Sequence, residues 1–147
     1  MQKPKIQGLG AFAIAIEAAI YSILSDTTEI TDLVSTRIYP SIIPQKAELP
    51  AISYQQIFGD RLHTMDGADG LVNALYQINC RAQSYDQLQE LVNAVRKACD
   101  DYDDTLDGTK INVMRLTAQR DMIDMTEDVM QTKRYGRSLD YEVWFEE

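Results

Sequence analysis

A chain of 147 residues with 14 basic and 23 acidic side chains carries a formal charge of -9. That length suits one domain, residues 1–147, with a real core, and the charge excludes a nucleic-acid binder that works by neutralising phosphates. Two cysteines, Cys80 and Cys99, are too few for a disulfide framework or a zinc site. Both fall at positions expected to be buried, which reads as reduced thiols in a cytoplasmic protein.

Lys3 and Lys5 precede an apolar run, but Glu17 interrupts it and the run from Leu9 to Leu24 is shorter than the roughly 20 apolar residues of a membrane span. Phe12, Ile16, Ala19, Ile20, Ile23 and Leu24 share one helical side, so the stretch reads as a first helix from Gly10 to Ser25 rather than a signal or anchor. Asp26 with Glu29 gives a capping-box spacing for a short second helix through Ile30, Leu33 and Val34. Pro40, Pro44 and Pro50 then remove backbone donors and disfavour helix before them, which predicts an irregular arm over 38–49.

Ala51 to Phe58 has strand character, with Ile52, Tyr54, Gln56 and Phe58 on one face. The turn dipeptides Asp66-Gly67 and Asp69-Gly70, with Asp60, Arg61 and His63, predict a long polar loop over 59–70. Val72, Ala74, Tyr76, Ile78, Cys80 and Ala82 alternate with mostly polar residues, the period of a strand with one buried face. Ser84 and Gln87 form a capping box, after which Leu88, Leu91, Val92, Val95, Ala98 and Cys99 make a helical stripe.

Asp100 to Gly108 holds five aspartates and reads as a helix exit and acidic turn. Asp103, Thr105, Asp107 and Gly108 take the first, third, fifth and sixth places of a calcium loop, but Met114 stands where the bidentate glutamate belongs, so no metal is expected. Ile111 to Leu116 is a strand with apolar residues on both faces, and Arg120 to Thr132 a second long loop with Met122, Met125 and Met130. In the last strand Leu139, Tyr141, Val143 and Phe145 alternate with charged positions, and Trp144 stands on the charged face. These elements predict an α+β domain: an antiparallel sheet of about four main strands with two longer helices on one face.

Catalytic patterns are thin. His63 is the one histidine, no G-x-S-x-G elbow exists, and Gly8 and Gly10 lack the strand and further glycines of a dinucleotide loop. A small acidic metal-dependent hydrolase using loop carboxylates such as Asp104 and Asp107 stays open, as does a monomeric binding module. Trp144 is a large apolar ring on a charged face, to be covered either by a loop of its own chain or by a neighbour, and tryptophan is enriched at interface centres.

Thr36-Arg37-Ile38-Tyr39-Pro40, Pro44-Gln45, 49–55 (LPAISYQ), 77–85 (QINCRAQSY) and 139–146 (LDYEVWFE), with the order of elements, give the chain a specific resemblance. It resembles the tail-completion or tail-terminator proteins that join head to tail in long-tailed bacteriophages and prophages. The resemblance implies a non-enzymatic, cofactor-free structural protein of the virion, assembled from the host cytoplasm and placed at the head-tail junction. It further implies a homo-oligomeric ring of six that caps the tail tube, contacts the tail tube protein and the head-closure connector, and passes DNA through an acidic channel without specific binding or membrane contact. The contact surfaces expected are Trp144, the first loop with Arg61, His63 and Asp66, and the second loop with Met125.

Overall fold

The computed structural model describes residues 11–64, 67–106, 108–124 and 134–146. Its elements are α1 (Ala11–Asp26), α2 (Thr28–Val34), β1 (Ile38–Pro40), β2 (Ala51–Thr64), β3 (Gly67–Ala82), α3 (Tyr85–Cys99), β4 (Tyr102–Leu106), β5 (Thr109–Asp124) and β6 (Arg134–Glu146). The strands form a six-stranded sheet in the order β1-β2-β3-β6-β5-β4. β1 runs parallel to β2 and the other pairings are antiparallel.

This overturns the expected sheet of four antiparallel strands with two longer helices. The sheet is mixed, curls into a half-barrel and outweighs three short helices, of 16, 7 and 15 residues. The extra strand length comes from segments that read as loops. Residues 59–64 and 67–70 extend β2 and β3 into a hairpin arm, 102–106 form β4, and 120–124 belong to β5. At 56–60, 103–105 and 117–121 successive side chains are exposed, so the alternation that betrays a strand is missing.

One face of the sheet carries the core. Ile78, Cys80, Leu139, Tyr141 and Val143 are fully buried there, and α3 packs on β3 and β6. Leu88, Leu91, Val92, Val95 and Cys99 make the inward stripe of α3, each large aliphatic worth about 1.5–3 kcal/mol of burial. The predicted cap holds: Ser84 Oγ accepts from the Gln87 amide at 3.2 Å, while Gln87 Oε1 accepts from the Gln83 amide at 3.1 Å. The expected Asp26–Glu29 box is not formed; Thr27 is the N-cap of α2, and its hydroxyl donates instead to the Ile23 carbonyl.

Two β-bulges explain the irregular apolar patterns. Ile111 pairs with Phe145 and Val113 with Trp144, so a residue is inserted and both Ile111 and Met114 reach the core. On β2 the step from Gln56–Tyr76 to Phe58–Leu75 leaves Ile57 extra. Phe58 is thereby turned to the face away from the helices, contrary to the alternation that grouped it with Ile52 and Tyr54.

Candidate functional site

The sheet face opposite the helices has no helix on it among the described residues, and hydrogen-bonded polar side chains cross it. Gln55 Nε2 donates to Gln77 Oε1 at 3.0 Å, Gln77 Nε2 donates to Asp140 Oδ1 at 3.1 Å, and Arg120 pairs with the other Asp140 oxygen at 3.4 Å. One register step away, Ser138 Oγ donates to Asn79 Oδ1 at 2.6 Å, and Asn79 Nδ2 reaches Ser53 Oγ at 3.4 Å. Four strands are thus tied across this face by side chains as well as backbone. Asn79, Ser138, Ser53 and Asp140 are buried, and each has a hydrogen-bond partner, as a buried polar chain requires.

Towards the β2–β3 arm the same face turns apolar. Trp144 sits between Asn73 on β3 and Val113 on β5, half-buried, its Nε1 donating to Glu142 Oε1 at 2.8 Å. Two residues along, Phe58 stands beside Leu75, and Phe58 and the bulged Ile57 are 52% and 47% exposed. The Oδ1 of Asn73 is enclosed without a donor among the described residues.

Of the candidate contact residues, the described ones stand at one end of the sheet. Arg61 and His63 lie on β2 in the arm, at register positions opposite Val72 and Ala68, at the end where Trp144 stands. Asp66 and Met125 lie outside the described residues. β5 ends its described course at Asp124, opposite Arg134, at the end of the sheet away from the arm.

Two clusters on the helix side were not visible in the sequence. Arg137 is buried, with Nε donating to Asp121 Oδ1 at 2.6 Å, Nη1 to Gln89 Oε1 at 2.9 Å and Nη2 to the Tyr85 hydroxyl at 3.4 Å. It ties β6 to β5 and to the first turns of α3, and only the fold brings these residues together. Elsewhere Glu17 of α1 lies within electrostatic reach of Tyr54 and Tyr76, and Tyr21 and Tyr54 have ring centroids 6.5 Å apart.

Burial raises the Glu17 carboxyl above its ordinary value of 4.5. Burial first, and Glu17 second, push the Tyr54 hydroxyl up to about 12. Since the folded state holds the Glu17 proton more tightly than the unfolded state, it is favoured below pH 4.5, and that advantage is lost as pH rises through the raised value. Glu17→Gln is therefore expected to raise Tm at pH 7 and to leave it unchanged at pH 4 or below. Thermal melts of both proteins across that range check it; equal Tm values at pH 7 would contradict it.

Asp103 and Asp104 lie on strand β4, and Asp104 Oδ1 accepts from the next amide, Thr105, at 2.7 Å. Among the described residues no group of three or more His, Cys, Asp or Glu could hold a metal ion. A shallow cleft between α2 and α3 is lined by Glu29, Asp32, Glu90 and Lys97, with Lys97 paired to Glu29 at 3.1 Å. Burial pushes the Cys80 thiol up to about 12 and raises Cys99 further, so neither is a nucleophile at neutral pH. No helix of the described residues is long and apolar enough to cross a membrane.

The family model for tail completion protein gp17 matches residues 18–146. The chain belongs to that family. This tail completion protein is therefore a structural protein of a virion tail. It shares its fold with a chain of the virion of a native gene transfer agent particle, at 17% identity and a TM-score of 0.72, over 95% of this chain and 100% of that one. No curated protein matches the tail completion protein closely enough to count as a relative.

Proposed function

We propose that this tail completion protein terminates the tail tube and joins it to the head by forming a ring of six. The observation that carries the reading is the family match over 18–146. The ring would contact the tail tube protein on one side and the head-closure connector on the other. Its net charge of -9 supports a lumen that DNA slides through, since like charge removes the counterion-release attraction that would hold it.

Trp144 and the arm bearing Arg61 and His63 supply the contact surface in this reading, with Asp66 and Met125 as further contact residues. A half-buried indole on the same sheet face as an exposed Phe58 fits the aromatic centre of an interface with a polar rim. Trp144→Ala is expected to cost the protomer about 1 kcal/mol of stability and assembly about 2 kcal/mol or more. Melting of the protomer and mass measurement of the assembly together check this. A variant that melts as though its core were damaged, with assembly otherwise unchanged, would make Trp144 a residue of the fold alone.

A further inference from the structure

The sheet has two blunted edges and two open ones. β1 covers β2 at Ile52–Tyr54 and ends in Pro40, and β4 covers β5 from Thr109 to Met114 with Asp103 and Asp104 exposed on it. Short strands, proline and charge are the usual protections of an edge. Beyond them the outer sides of 55–64 on β2 and 115–124 on β5 pair with no strand among the described residues. Gln56–Asp60 and Thr117–Asp121 are exposed, and neither segment contains proline.

We infer that these open halves are the two sides of one contact, in which 55–64 of one copy pairs with 115–124 of the next. The inference rests on the ring reading above and names how its copies would join. Three features favour a second copy as the occupant. β2, β3, β6 and β5 alternate in direction, so a neighbour standing the same way up brings its β5 antiparallel to β2. The charges match as well: Asp60 offsets Arg61 on one segment, and Asp121 and Asp124 offset Arg115 and Arg120 on the other. Within a chain of charge -9, these are places where copies approach without net repulsion.

The third feature is the stagger. Gly59, in the middle of the open half of β2, is level through Ala74 and Val143 with Met114, where the open half of β5 begins. Joining the two halves middle to middle slides the neighbour by about six residues, about 20 Å, against a width of about 19 Å for four strands. Equal slide and width mean a strand tilt of about 45°, at the upper end of the range in which sheets close into barrels. The two edges are also different surfaces, and a contact between unlike surfaces generates rings when its rotation closes.

Cysteine pairs test this directly. Asp60→Cys is combined in one chain with Ala118→Cys, Gln119→Cys, Arg120→Cys or Asp121→Cys, and rings from purified particles are oxidised. Within one copy β2 and β5 are three strand spacings apart, about 14 Å, beyond the reach of a disulfide, so every link formed is between copies. The expected result is a covalent ladder up to the ring in one register. In the unsubstituted protein, amide exchange at 56–60 and 117–121 should slow by about tenfold or more on ring formation. Intact rings with no ladder and no slowing would overturn the edge contact and leave the ring standing. Particles that hold the chain only as single copies would remove both.

Discussion

Replacing Leu91 with aspartate is expected to leave no cooperatively folded protein. Leu91 is completely buried on the α3 stripe, against the sheet face formed by β3 and β6. An unpaired charge there costs several kcal/mol against a total stability of about 5–15 kcal/mol. Leu91→Ala removes the same contacts without a charge and should fold, less stable by about 2–5 kcal/mol. Circular dichroism and urea unfolding separate the outcomes: a sharp transition in the aspartate variant would show that α3 does not hold the core.

Arg137→Ala is expected to cost about 2 kcal/mol. The guanidinium side chain is 11% exposed, while that of its partner Asp121 is 56% exposed. Truncation therefore removes the bonds to Asp121, Gln89 and Tyr85 but leaves Asp121 able to return to water, which keeps the loss below the 3–5 kcal/mol typical when a buried charge is stranded. For a chain of this length the Tm should fall by about 4–8 °C. Arg137→Lys should recover part of the loss, because a single ammonium cannot serve three acceptors in the planar geometry of the guanidinium. A Tm within a degree of the unsubstituted protein would show that the cluster forms without contributing.

The stretches with one wet face and one dry face were legible in the sequence. The alternation of 72–82 and 139–145 and the stripe of α3 follow directly from that contrast, and the buried positions agree. Where a run is exposed throughout, as at 56–60 of β2, or where charge guards an edge, as on β4 with Asp103 and Asp104, period 2 carries no hydrophobic signal. The turn residues in those places then dominate and suggest loops. The bulges at Ile57 and between Ile111 and Val113 shift the face partway along a strand, which is why the apolar residues of Ile111–Leu116 looked two-sided.

The site divides in the same way. Trp144 was conspicuous because an indole among charged neighbours contradicts the local pattern. The polar chain through Gln55, Gln77, Asp140 and Arg120 joins four separate strands, and the Arg137 cluster draws on β6, β5 and α3. No spacing within the chain encodes these; they arise from strand order and register.

Cryo-electron microscopy of purified particles, resolved well enough to trace this chain, tests the tail-joining role most directly. A ring of six copies closing the head-proximal end of the tail tube, beneath the connector, is expected. Finding the chain at the distal tail tip or in the capsid, with the head-tail junction built from other proteins, would contradict it.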